Sequence, residues 1–506
     1  MAAGDPQATP TIPRGTRFRP ALLWSYAVST GLYVITALIT FILAAILGPE
    51  EFGLLWMAMV WVTLAQLLLQ HGPTIAVIQQ EDITDGHLDA AFWTTVAGAT
   101  GFAVLLAAAA PLWAAFTQLP ELTALCLALS PIVPLYALNA IPEAVLRRRM
   151  QLRGIALRYL VSGLLSGVAA IGTALAGLGV WALVIQQVTM TATNTVLLWL
   201  MISWRPRLRR FGAQWRDIRA TSFKTLAGAV GTFVHLRADV LVMGAYFGPV
   251  VVGVFRFALR VPELVMGLAG RGLHDVALPD LARHSLDRWA LAGRLTRLVH
   301  LGAVLSFPAL GVVAAAAEPF VLLIGEQWTE AVTPLRLLCL AVAFTLLNSM
   351  FGPALQAAQR PGLPALMTWV NAACLVGGIY VAARLAAGAS TADQVVAVAW
   401  AVIAVYAVLA LTLGYLVFGR VLRVPPWSTV RAMVPSVLAG GGAAGSGMVV
   451  PAVVPGDLPT LSWLALTVTV TGLLAAGVLV TVDGQVRRWL RQVVGRPGRQ
   501  TGSGAH

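Results

Sequence analysis

From Ala21 to Val482 the chain is almost entirely a succession of long apolar runs, separated by short polar connections. A bilayer core of ~30 Å takes about 20 helical residues to cross. Lipid offers no partner to an open backbone, so runs of this length dictate membrane-spanning helices. Composition agrees: 58% of residues are hydrophobic and 11% charged, where a soluble domain carries roughly 25% charged residues. Fourteen runs stand out, at about 22–47, 54–78, 89–110, 122–145, 155–177, 180–202, 221–246, 250–273, 295–317, 331–357, 363–386, 393–418, 432–453 and 460–482. The expected fold is an all-α polytopic membrane protein with no room for a sizeable soluble domain. The thirteenth run, "VLAGGGAAGSGMVV", is the weakest helix because its glycines lower helix propensity. Prolines 131, 134 and 142 in the fourth run, Pro262 in the eighth and Pro308 in the ninth are expected to interrupt their helices.

The net charge of +13 rests on arginine; Lys224 is the single lysine. Basic residues gather in every second connection: "RRRMQLR", "SWRPRLRRFGAQWRDIR", "LARHSLDRW", "QRPG", "GRVLRVPPW" and the tail "VRRWLRQVVGRPGR". Between them lie "GPEEFG", "TQLPE", "GLG", "FGPVVVG", "LIGEQWTE" and "VPGDLPT", which have no lysine or arginine. This alternation is the positive-inside pattern. It accounts for the charge without nucleic acid, puts both termini in the cytoplasm for an even helix count, and allows a secondary attraction to anionic lipid. "QQEDITDGH" is acidic on the inner side, but acidic residues weigh little in that rule. The N-terminal "RGTRFRP" leads into a run too long for a signal-peptide core, so a retained first helix is expected. The connection 203–220, with Trp204, Trp215 and six arginines, suits either an amphipathic interfacial segment or a solvated loop. Cys126, Cys339 and Cys374 lie singly in apolar runs, which supports neither a disulfide framework nor a metal site. Phosphate-binding, zinc-protease and serine-nucleophile motifs are absent, so no cofactor and no enzyme activity is expected.

One turn occurs twice. "ILGPEEFGLLWMAMV" begins at Ile46 and "YFGPVVVGVFRFALR" at Tyr246; each has Gly-Pro and a second glycine further on (Gly48, Pro49, Gly53; Gly248, Pro249, Gly253). A second echo follows in the same order, "NAIPEAVLRRRMQLRG" from Asn139 and "NSMFGPALQAAQRPG" from Asn348. Two halves of six helices are implied, and an even number gives both the same orientation. The expected division is a tail 1–21, an N-lobe 22–202, a linker 203–220, a C-lobe 221–418, two accessory helices within 419–482 and a basic tail 483–506. Transporters hold cargo near the midplane between such pseudo-symmetric lobes, in a central cavity.

The strings "LGPEEFGLLWMAMVWVTLAQLLLQHGPTIAVIQQEDITDGHLDAAFWTT", "GVWALVIQQ", "SWRPRL" and "LIGEQWTEAVTPLRLL" resemble the polysaccharide flippases of the multidrug, oligosaccharidyl-lipid and polysaccharide exporter superfamily. The resemblance runs from about Arg19 to Arg420 and is strongest over 47–95. It implies two V-shaped lobes, about fourteen helices and alternating access in a bacterial cytoplasmic membrane. It also implies a cargo of polyprenyl-diphosphate-linked oligosaccharide, turned outward for surface polysaccharide synthesis beside a polymerase and glycosyltransferases. A peptidoglycan-precursor flippase or a small-molecule exporter of the same superfamily remains the alternative.

Ionisable groups inside spans are costly and face a cavity or a partner. The seventh run carries His235, Arg237 and Asp239; the eighth carries Arg256, Arg260 and Glu263 as one helical stripe, with Arg271 further along. Arg237, Arg256, Arg260 and Arg271 could clamp a diphosphate. Equally, Asp239 and Glu263 could pair with Arg256 or Arg260 as structure. His235, Asp239 and Glu263 are candidates for ion coupling, and Gln66, Gln70 and His71 for sugar contacts or helix–helix hydrogen bonds.

Overall fold

The computed structural model describes residues 31 and 34–488 except 72, 80–82, 150, 209–211, 285–286, 361 and 454–458, and leaves the side chains of some further helical residues undescribed. The apolar runs become helices: α1 (Val34–Ile46), α2 (Pro49–His71), α3 (Pro73–Gln79), α4 (Asp85–Thr117), α5 (Glu121–Leu129), α6 (Ile132–Arg148), α7 (Leu152–Leu175) and α8 (Val180–Met201). After an extended segment come α9 (Gly212–Tyr246), α10 (Pro249–Ala282), α11 (Arg288–Ala315), α12 (Ala317–Ile324), a 3-10 turn (Glu326–Ala331), α13 (Val332–Ala357) and α14 (Gly362–Leu385). α15 (Thr391–Gly414) continues into a π-helical segment (Tyr415–Leu422), and α16 (Trp427–Val453) and α17 (Thr460–Val482) complete the chain. No strand occurs among the described residues. Ten helical stretches there are long and apolar enough to cross a membrane. The runs at 22–47, 221–246, 250–273 and 432–453 fall on α1, α9, α10 and α16, outside that set. α9 and α10, with 35 and 34 residues, are each ~50 Å long at 1.5 Å per residue, so they extend past a bilayer core. Residues 212–220, counted with the linker on sequence grounds, are the first turns of α9.

Prolines break fewer helices than expected. The fourth run parts at Ser130–Pro131 into α5 and α6, and Pro134 sits in the first turn of α6, where its missing N–H costs nothing. Pro142, Pro262 and Pro308 lie inside α6, α10 and α11, which continue through them. Neighbouring helices support a locally freed carbonyl in a membrane bundle.

The glycine run of α16 is a packing surface. A Cβ at Gly440 would lie 2.4 Å from the Phe307 carbonyl oxygen, and one at Gly447 2.3 Å from the Ala315 Cα. α16 thus lies against α11 with the backbones nearly touching, the geometry small residues permit between membrane helices. Thr296 and Thr429 share a hydrogen bond of 2.8 Å across the same seam.

The doubled turn meets itself. α2 and α10 cross at their N-termini: a Cβ on Gly53 would fall 1.8 Å from the Pro249 carbonyl oxygen, and one on Gly253 1.8 Å from that of Pro49. Gly248, with φ +86°, makes the turn into α10. Trp328, fully buried, bolts the same end by donating from Nε1 to the Ala44 carbonyl at 2.7 Å and stacking on Phe257 with centroids 4.1 Å apart. The end of the molecule carrying "GPEEFG", "FGPVVVG" and "LIGEQWTE" is therefore shut.

At the other end, Arg205 donates to the Trp199 and Ile202 carbonyls at the C-terminus of α8, and the Arg207 amide donates to the buried Asp89 at 3.0 Å. Trp204 packs edge-on to Phe92 at 5.7 Å. The start of the inter-half connection is thus pinned to α4 and α8 rather than free in solvent. The end of the acidic exception, from Asp85, is the first turn of α4: the Thr84 amide donates to His87 Nδ1 at 3.3 Å across it, and Asp85 sits at the positive end of the dipole.

Gly53→Val cannot coexist with the α2–α10 contact. In a Cys374→Ser background, a cysteine at the buried position Met57 should resist maleimide in the parent and label at least fivefold faster with Gly53→Val. Equal labelling would show that the glycine crossing does not close this end.

Candidate functional site

α9 and α10 bring the ionisable stripe together just beneath the glycine crossing. Arg256 is buried and donates from Nη1 to Asp239 Oδ2 at 3.0 Å; Glu263 Oε1 lies 3.7 Å from the same nitrogen. Trp56 of α2 supplies an aromatic floor, its ring centroid 4.5 Å from the Arg256 guanidinium carbon and 5.3 Å from that of Arg237. Cation–π contact of this kind partly compensates a guanidinium withdrawn from water. The structural pairing foreseen for Asp239 and Glu263 exists, but it satisfies one arginine. Arg237 and Arg260 have no carboxylate within 4 Å among the described residues. The Nε atoms of Arg237, Arg256 and Arg260 are buried without partners among the described residues. Three guanidiniums thus face two carboxylates, leaving unspent positive charge and unspent donors. Glu263, 38% exposed, marks where the stripe opens.

His235 does not join Asp239. Its ring lies edge-on to Tyr406 at 6.2 Å and its Nδ1 is buried without a partner, while Asp239 is engaged by Arg256. Arg271 lies on α10 and His71 ends α2, but both side chains lie outside the described residues.

Gln66 and Gln70 line a cavity of about 340 Å³ enclosed by α2, α3, α6, α7 and α8. At its centre Glu143 accepts from Arg158 Nη2 at 2.5 Å, from Arg147 at 2.6 and 3.0 Å, and from the Tyr159 hydroxyl at 3.1 Å. Arg158 is 1% exposed, and its Nε and Nη1 lack partners among the described residues. The Oδ1 atoms of Asn139 and Asn194, on the same walls, are also unpartnered among the described residues. Such groups cost about 1–3 kcal/mol each when left unsatisfied. A cavity with spare donors and spare acceptors suits a polyhydroxylated ligand, whose hydroxyls do both. This cluster was not foreseen beyond its glutamines. Its signal is the spacing Asn139, Glu143, Arg147, one stripe of α6; Arg158 and Asn194 reach it only through tertiary packing. α2 serves both places, offering Trp56 to one and Gln66 and Gln70 to the other, ~15–20 Å apart along its axis.

Helices enclosing charged and hydrogen-bonding groups at membrane depth, shut at one end, define a multi-pass membrane transporter. The chain matches the polysaccharide biosynthesis protein family over residues 42–333, and it belongs to that family. It is similar to the succinoglycan biosynthesis transport protein ExoT of Rhizobium meliloti (strain 1021), 27% identical over 78% of each chain. It is also similar to the teichuronic acid biosynthesis protein TuaB of Bacillus subtilis (strain 168), 23% identical over 68% of this chain and 70% of that one. Among solved structures, the lipid II flippase MurJ in its inward closed conformation superposes with a TM-score of 0.70 at 12% identity, covering 94% of this chain and all of MurJ. An inward-facing multidrug resistance MATE family transporter superposes at 0.60 with 14% identity, covering 80% and 95%. The fold is that of these transporters, and the chain is a polysaccharide-related transporter, as its sequence motifs imply.

Removing one member of a buried ion pair strands the other. Asp239→Ala should destabilise the protein by about 3–5 kcal/mol, and Asp239→Leu with Arg256→Met should recover most of it. Denaturant unfolding of the purified chain in detergent measures both; equal losses in the single and double variants would show that the pair is not a closed unit.

Proposed function

We propose that this protein is a flippase that carries a polyprenyl-diphosphate-linked oligosaccharide from the inner to the outer leaflet for surface polysaccharide synthesis. The observation that carries the reading is the excess of buried guanidinium donors on α9 and α10, which a diphosphate would satisfy bidentately. Arg237, Arg256 and Arg260, with Arg271 further along α10, receive the phosphates. Gln66 and Gln70, with Asn139, Asn194 and Arg158, receive the sugars, and His71 stands at the end of the same helix. His235, Asp239 and Glu263 are the groups through which an ion gradient would act. The polyprenyl tail stays in lipid.

In this reading the chain has fourteen spans. Six-helix lobes at 22–202 and 221–418 are joined by 203–220 and followed by two accessory helices within 419–482. The tails 1–21 and 483–506 lie in the cytoplasm of a bacterium, whose inner membrane holds the protein beside glycosyltransferases and a polymerase. The crossing of Gly53 and Gly253 is the outer gate, and its closure together with the cavity at the basic end supports an inward-facing state. Alternating access would part this crossing. Relatives named for succinoglycan transport and teichuronic acid synthesis favour a polysaccharide intermediate over a peptidoglycan precursor or a drug.

Arg260 can be removed without stranding a carboxylate, since no ion pair among the described residues holds it. Arg260→Ala should therefore stay in the membrane at normal abundance and lose export of polymer by at least tenfold. Wild-type export in that variant would move the cargo route elsewhere. Asp239→Asn should change the dependence of export on the ion gradient if Asp239 couples transport; unchanged dependence would leave it the structural partner of Arg256.

A further inference from the structure

Three of the basic connections converge. Arg288 from the start of α11, Arg360 from the turn after α13, and Arg420 and Arg423 from the end of the π-helical segment line one cleft of about 480 Å³. All four are exposed, and none has a carboxylate within 4 Å among the described residues. The remaining walls are apolar, Leu291, Leu363 and Leu416 among them. Topology alone explains arginine in each connection separately. It does not explain why three connections fold onto a single cleft with aliphatic walls and no counter-charge among the described residues.

The backbone holds these arginines in place. Arg360 donates its amide to the Leu355 carbonyl at 3.0 Å, closing the end of α13 after Gln359, which takes φ +59°. In the π-helical segment Val417, Phe418 and Leu422 are buried, Arg423 takes φ +54°, and the Val424 amide returns to the Phe418 carbonyl at 2.8 Å. A wide turn of this type re-aims the side chains that follow it and often marks a functional position.

The depth of the cleft is marked independently. Trp289 beside Arg288, Tyr415 opening the π-helical segment and Trp427 opening α16 are 58%, 61% and 70% exposed. Large exposed aromatics cluster at the head-group level of membrane proteins. A cationic rim over aliphatic walls at that depth matches a phosphate with acyl chains attached, and basic clefts between helix ends bind anionic head groups.

We propose that this cleft is a binding site for an anionic phospholipid, separate from the cargo route and bridging α11, α13 and α15. The test uses the full chain in detergent, titrated with dioleoyl phosphatidylglycerol or dioleoyl phosphatidylcholine and followed by native mass spectrometry. Wild type should retain phosphatidylglycerol at least tenfold more tightly than phosphatidylcholine. Arg360→Gln, Arg420→Gln and Arg423→Gln together should weaken phosphatidylglycerol about 100-fold, as three lost surface cations imply. Phosphatidylcholine binding should not change. A charge-matched control, Arg207→Gln, Arg384→Gln and Arg488→Gln, should bind as wild type, and glycerol phosphate at equal concentration should not displace the lipid. Wild-type affinity in the cleft variant, an equal loss in the control, or no preference between the lipids would overturn the proposal. Displacement by glycerol phosphate would do so too, making this a site for a free phosphate. The readout is lipid retention, so its outcome is independent of the cargo reading.

Discussion

The crossing of α2 and α10 at Gly53 and Gly253 is the contact on which the arrangement rests. Each glycine lets the other helix's proline carbonyl into the space a methyl would fill, and the same Gly-Pro turn supplies both sides. Close backbone approach is one of the few sources of helix association in lipid, where burying apolar side chains yields little. A crossing made by two residues and backed by Trp328 is also small enough to part. Below it the order is fixed by α2: Met57 meets Gly244 of α9, Trp56 lies against Arg256 and Arg237, and the glutamines line the cavity at the basic end.

Charge in such a setting is tolerated only where it is answered. Arg256 is answered by Asp239 and by an aromatic face; Glu143 is answered by two arginines and a tyrosine. What distinguishes both places from structural ion pairs is the remainder: nitrogens of Arg237, Arg260 and Arg158 and oxygens of Asn139 and Asn194 that nothing among the described residues satisfies. An interior built only for stability could replace such groups with aliphatic side chains at no loss. In the proposed reading, their presence on two sides of α2 suits a cargo with a phosphorylated end and a sugar end.

The architecture was largely legible because lipid leaves so few options: an apolar run of sufficient length can only be helix. The doubled turn was readable as a repeat in the sequence, and the pairing of Asp239 with Arg256 as one of two open readings, since a short turn makes α9 and α10 neighbours. Helices α6, α10 and α11 continue through Pro142, Pro262 and Pro308, so these prolines do not end their helices as local rules alone suggest. The glycines of α16 misled in the same way, since their propensity cost is outweighed by contact with α11. Arg158 and Asn194 gave no local sign of meeting Glu143 and Asn139, because they come from different helices. The π-helical turn at Tyr415–Leu422 likewise has no signature in its residues.

The most direct test is to ask the cargo where it goes. Gly267 lies on the stripe of Arg256, Arg260 and Glu263 with nothing within 4 Å of its missing side chain, and Gly377 offers equal space on the lipid side of α14. A photoreactive residue placed at each position, in cells making polysaccharide, reports what passes. Capture of diphosphate-linked glycan at position 267 and not at 377 is the expected result. Capture at 377 alone, or at neither while export continues, would contradict a route past the arginines.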